Sequence, residues 1–193
     1  IARWADLGGG LFDGTWRSSN LAVAFFDVSP RIIRYFPPWE LKRLCALIGS
    51  VAGRSHDTAM DCLITGSKVF TEMNSEREPF ITLLHSLVDN WRQIKGCIKI
   101  AGSVPESMNT NTKSHLFRLA ERLSKEGYKE IVKFLTTGVN ALQRLESTEQ
   151  KYVLDLCDVL LETSHRSVPP LMGSLVNVLG QLELHQLEIW FQK

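Results

Sequence analysis

The chain has 193 residues, with 22 Lys and Arg against 21 Asp and Glu, a formal net charge of +1, and 44% hydrophobic and 22% charged residues. This is the balance of a soluble globular protein able to bury a sizeable core, and it supplies no field that would by itself hold DNA or an acidic membrane. No run approaches the roughly 18 apolar residues of a membrane span, and no basic and then apolar leader opens the chain, so a cytoplasmic protein is expected.

In chain order the sequence repeats itself. Five twelve-residue segments align without gaps: FFDVSPRIIRYF from Phe25, CLITGSKVFTEM from Cys62, CIKIAGSVPESM from Cys97, FLTTGVNALQRL from Phe134 and LMGSLVNVLGQL from Leu171. Their starts lie 37, 35, 37 and 37 residues apart. The first column is Phe25, Cys62, Cys97, Phe134 and Leu171; the second is Phe26, Leu63, Ile98, Leu135 and Met172. The eighth is Ile32, Val69, Val104, Ala141 and Val178, and the twelfth is Phe36, Met73, Met108, Leu145 and Leu182. These apolar columns fall at spacings of three and four, one face of a helix. The fifth column is small (Ser29, Gly66, Ala101, Gly138) apart from Leu175. Glycine within a helix costs about 1 kcal/mol relative to alanine, so the column is read as room for a neighbouring helix.

A second helix precedes each segment, marked by the column Leu11, Ile48, Leu83, Ala120 and Cys157. A further column, Ala22, Ala59, Ile94, Ile131 and Val168, lies nearer the main segment. Turns are expected at 53–58 and 124–127, and boundaries between units at Pro37-Pro38, 74–78 and 109–114, with Ser114 as an N-cap. The run 21–26 is the best strand candidate, but its columns match helical segments elsewhere. The expected fold is all-α, an α-solenoid of about five helix-turn-helix, HEAT-like repeats of roughly 37 residues stacked on a continuous core. The units lie near 1–36, 39–73, 76–108, 113–145 and 150–182, and 183–193 begins a further one. Because that last amphipathic segment, with Leu187, Ile189, Trp190 and Phe191, has no following helix, and because the chain opens on Ile1, a fragment of a longer protein is expected.

Residues that carry chemistry are scattered. Cys45, Cys62, Cys97 and Cys157 form no C-x-x-C pair and sit among apolar neighbours, as reduced core thiols do. His56, His85, His115, His165 and His185 include no i, i+4 pair for a helical zinc site. Gly8-Gly9-Gly10 follows no strand and precedes no Gly-Lys-Ser/Thr, so it reads as a turn rather than a phosphate loop. Ser29-Pro30 reads as a kink or helix start. Trp4, Trp16, Trp39, Trp91 and Trp190 read first as core or interhelix packing, with Trp39 and Trp91 the candidates for exposure. Residues 1–56 carry seven bases against four acids, and 146–193 carry three bases against seven acids. No catalytic, cofactor-binding or metal-binding residue is assigned, and the partner-binding residues are left open.

The opening stretch holds Trp4, Gly8, Ala24, Phe25, Phe26, Ser29, Pro30, Ile32 and Ile33, with a fainter echo of Ile1 and Trp4 at Leu187 and Trp190. In this pattern it resembles the helical repeat region of NorD/CbbO-like proteins, which carry a C-terminal von Willebrand factor A domain and work with MoxR-type AAA+ ATPases. The likeness is best over about 36 residues, and the family's metal-binding Asp-x-Ser-x-Ser is absent here, so no metal ligand is implied for this chain. The resemblance implies a non-catalytic scaffold, the helical arm of an adaptor linking a target protein to a MoxR-type ATPase. The alternative from the repeat alone is a HEAT-like nucleic-acid-binding or DNA-repair protein, which the near-neutral charge disfavours.

Overall fold

The computed structural model describes residues 19–105 and 108–179, with the side chains of 19, 20, 22 and 176–179 excepted. Every regular element among them is helical. In chain order these are α1 (Ser19–Tyr35), α2 (Pro38–Ala52), α3 (His56–Asp61), a π segment (Cys62–Gly66), α4 (Ser67–Glu72) and α5 (Arg77–Ser86). A 3-10 turn (Val88–Gln93) leads into α6 (Ile94–Ala101), followed by α7 (Thr110–Lys125), α8 (Ile131–Leu142) and α9 (Ser147–Ser164). A second 3-10 turn (His165–Ser167) leads into α10 (Val168–Leu179). No helix among the described residues is long and apolar enough to cross a membrane.

The helices fall into two series. In one, α2 packs on α5, α5 on α7 and α7 on α9; in the other, α1 packs on α4 and the π segment, the π segment on α6, α6 on α8 and α8 on α10. Chain neighbours also join the two series, as α7 and α8 do and α9 and α10 do. Helices therefore meet others about a repeat away as well as neighbours in the chain. One core runs between the series, from Leu21 to Met172.

The aligned columns describe that core. Phe25, Cys62, Cys97 and Phe134 are buried and Leu171 packs half-buried against them. Ile48, Leu83, Ala120 and Cys157 are buried, as are Ala59, Ile94, Ile131 and Val168. The twelfth column, Phe36, Met73, Met108 and Leu145, is buried although each lies beyond the end of its helix. An aromatic chain threads the units: Phe36 to Phe70 at 6.4 Å between centroids, Phe70 to Phe80 at 5.7 Å and Phe80 to Phe117 at 4.8 Å.

Several expectations need correction. The third aligned segment is not helical throughout: α6 ends at Ala101, because Pro105 donates no hydrogen bond and disfavours helix at Val104, and Gly102 caps the end by donating to Ile98 O at 3.0 Å. Phe26 breaks the second column, at 55% exposed. Asn109 caps α7, accepting from Thr112 N at 2.8 Å, and Ser114 lies a turn further in. Arg77 and Glu78, expected in a linker, begin α5, and His56 begins α3 behind the N-cap Ser55. Pro30 does not start a helix but sits inside α1. Proline there leaves the carbonyl of Phe26 without its usual donor, and the Ser29 hydroxyl supplies one at 2.9 Å. Residues 1–18 and 180–193 carry Trp4, Gly8-Gly9-Gly10, Leu11, Trp16, Leu187, Ile189, Trp190 and Phe191, so the readings placed on them lie outside the described residues.

The small column has the predicted use at Gly138, where an added Cβ would lie 2.9 Å from Leu116 Cδ1 of α7 and 3.2 Å from Met172 Cε of α10. At Gly66, the last residue of the π segment, the tightest neighbour is Phe70 of the adjoining α4 at 3.0 Å, with Ile98 of α6 at 3.5 Å.

Candidate functional site

The four cysteines are buried and free of disulfides. Burial pushes each thiol from its ordinary 9.0 up to about 12, so at neutral pH they are protonated and poor nucleophiles. The His85 ring bonds the Arg43 carbonyl at 3.0 Å; burial lowers its pKa by more than that hydrogen bond raises it, so it is a neutral Nε2–H donor. His115 bonds Asp158 at 2.6 Å. Among the described residues no group of three His, Cys, Asp or Glu could hold a metal ion. Trp39 is 53% exposed; Trp91 is half-buried, with the Arg92 guanidinium 5.3 Å from its centroid.

Polar contacts between units recur at the repeat spacing. Arg43 donates to Glu78 at 2.7 Å and Thr82 at 2.8 Å, and Arg54 pairs with Asp89 at 2.9 Å. Thr112 donates to Gln150 at 2.9 Å, Ser124 to the Ser86 carbonyl at 3.3 Å, and Val132 N to Gln93 at 2.9 Å. The partners in these bonds are separated by 35 to 39 residues. The most buried contact centres on Arg77. Its Nε donates to Phe70 O at 2.7 Å, Nη1 to Tyr35 O and Glu40 Oε2 at 3.0 Å each, and Nη2 to Met73 O, while its guanidinium lies 4.5 Å from the Phe36 centroid.

Grooves lie where successive units meet. Along the turn edge, Arg54 to Asp89 bridges one junction, and Asn90 to Lys129 O with Gln93 to Val132 N bridges the next. The junction after that opens into a crevice of about 550 Å³ between 126–130 and 165–173, walled by Tyr128, Phe134, Pro169 and Pro170, with Lys133 and Arg166 at its lip. Burial, and then the Glu130 charge, raises the Tyr128 phenol pKa. A groove of about 430 Å³ between the π segment with α4 and α6 carries Lys68, Lys95 and Lys99 beside Asp61 and Glu72.

A groove of about 640 Å³ crosses α7 and is lined by Ser75, Asn111, Ser114, His115, Arg118, Arg122 and Asp158. Asn111, Ser114, His115, Arg118 and Arg122 stand at spacings of three and four and so share one stripe of the helix. Asp158 of α9 is taken up twice, at 2.6 Å by Arg122 Nη1 and at 2.6 Å by His115. Sequence reasoning missed this stripe, since Ser114 was read as a cap and His115 weighed only as a metal ligand. Its visible signal was polar residues at helical spacing opposite the apolar positions Leu116, Leu119, Ala120 and Leu123.

No family model, no curated protein and no solved structure was found to match the chain.

Proposed function

We propose that the chain is a non-catalytic protein-interaction scaffold, an α-solenoid of about five HEAT-like repeats near 1–36, 39–73, 76–108, 113–145 and 150–182. The observation that carries this reading is the ladder of inter-unit hydrogen bonds between residues 35 to 39 positions apart. A stack held together unit by unit presents an elongated surface with grooves at several junctions, which suits the grip of another polypeptide better than the enclosure of a small substrate. The protonated, buried thiols and the dispersed histidines support a binding role over a nucleophilic one.

The resemblance of the opening repeat to NorD/CbbO-like proteins makes the proposed partner a MoxR-type AAA+ ATPase, with the chain as the adaptor arm that brings a target to it. Mixing the purified chain with a purified hexameric MoxR-type ATPase and measuring co-elution by size-exclusion chromatography with light scattering tests this directly. A complex of defined stoichiometry is expected. Independent elution at tens of micromolar of each protein, with and without ATP, would remove the ATPase as partner.

A further inference from the structure

We propose that the groove across α7 is an oxyanion-binding site that takes a phosphate or carboxylate borne on a partner polypeptide, with Arg118 and Ser114 as the groups that grip it. This rests on the reading of the chain as an interaction scaffold, and it names the chemistry of what is bound.

Three observations converge on the site. Arg118 is exposed, lines the groove and has no hydrogen-bond or ion-pair partner among the described residues, so its five N–H donors are available. Ser114, one helical turn before it, is 7% exposed and lines the same groove, and its hydroxyl makes no hydrogen bond to any described residue. Buried hydroxyls in helices ordinarily bond a carbonyl one turn back, as Ser67 does to Ile64 O at 3.0 Å and Ser29 to Phe26 O at 2.9 Å. A donor left over on the wall of a cavity is a donor kept for something that enters it.

The third observation is the charge. Asp158 is the one carboxylate on the lining, and its two oxygens are engaged by Arg122 and His115. Outside the lining, Glu162 stands 4.0 Å from Arg122 Nη2 and the exposed Asp155 lies one turn before Asp158 on α9. On the lining itself, with Arg122 set against Asp158, Arg118 leaves a positive charge over a buried donor. Asn111 and Ser75 at the rim add an amide and a hydroxyl, so a tetrahedral or planar oxyanion would find donors on several sides. A cation would face Arg118, and an apolar side chain would leave Ser114 unsatisfied.

The test uses the full chain and two anions. Sodium phosphate and sodium acetate are titrated at constant ionic strength while the Arg118 Nε–H and the Ser114 amide are followed by two-dimensional NMR. Saturable shifts with millimolar affinity are expected, weakened at least about tenfold by Arg118→Gln and several-fold by Ser114→Ala. Arg144→Gln, at an exposed arginine in the turn after α8, should leave them unchanged. Phosphate binding about tenfold tighter than acetate assigns a phosphorylated side chain, and similar affinities assign Asp or Glu; either supports the site. Shifts that stay linear to about 50 mM in both anions, or that Arg144→Gln weakens as much as Arg118→Gln, overturn it. Because no partner is present, this result is independent of the ATPase experiment above: a complex that forms equally well with Arg118→Gln would spare the scaffold reading and refute the groove as its grip.

Discussion

Replacing Arg77 with Met keeps the aliphatic stem over Phe36 and deletes the guanidinium that joins the ends of α1 and α4 to the start of α2. Glu40 and Arg77 have side chains only 10% exposed, so removing one strands the other away from water. Breaking one half of such a pair costs about 3–5 kcal/mol, and for a domain of this size each kcal/mol moves the melting temperature by about 2–4 °C. The expected fall is therefore about 6–20 °C, read by circular dichroism at 222 nm and confirmed by urea titration. Arg77→Lys should not rescue it, since an ammonium cannot serve Phe70 O, Tyr35 O, Met73 O and Glu40 from one position. Arg54→Met is the control: its pair with Asp89 is 58% and 89% exposed, and its loss should stay within about 0.5 kcal/mol. If Arg77→Met melts within about 0.5 kcal/mol of the parent chain, the buried contact is not what couples the first units.

Gly138→Leu should destabilise by about 1–3 kcal/mol, because Leu116 and Met172 already occupy the space, while Gly173→Leu, with nothing within 4 Å of its Cβ, should be neutral or stabilising by about 1 kcal/mol; equal melting temperatures would refute the close-approach explanation. The four thiols, raised from 9.0 to about 12, keep their protons in the folded chain where the unfolded chain loses them, so stability should be flat below pH 9 and fall above it by up to about 1.4 kcal/mol per pH unit per thiol, a slope that urea midpoints between pH 8 and 10.5 would show and Cys97→Ala would reduce. The same thiols should react with a disulfide reagent only on unfolding; rapid labelling of any of them in the native chain would contradict their burial. Leu119→Ala, at a fully buried position, should cost about 2–5 kcal/mol and Leu156→Ala, 37 residues on and 44% exposed, less than about 1 kcal/mol, although the two occupy the same column.

That last pair shows how far the repeat could be read from the sequence and where reading stopped. Leu47, Leu119 and Leu156 are chemically identical in one register, yet the first two are fully buried and the third is not. The chemistry of the residue therefore does not by itself fix burial in this column. The column Ile48, Leu83, Ala120 and Cys157 was legible because its apolar character recurs at the repeat spacing, and each of these described members is buried.

Polar contacts were illegible for the opposite reason. Arg77 and Glu40 are an ordinary solvated arginine and glutamate by composition, and only the meeting of α2 with the ends of α1 and α4 turns them into a buried pair. The π segment Cys62–Gly66 and the end of α6 at Ala101 were missed because each departs from the average unit by a local event, a widened turn in one and a proline four residues ahead in the other. Alignment by columns averages such events away. The α7 groove was hidden by the same averaging: Ser114, His115, Arg118 and Arg122 align with Lys151, Tyr152, Asp155 and Val159 one unit on, so no column marks them. What a repeat shares builds its core, and what a single unit keeps to itself is where binding chemistry has room to arise; in this chain the α7 stripe with Arg118 and the unpartnered Ser114 hydroxyl is such a departure, set on a helix whose apolar face obeys the repeat.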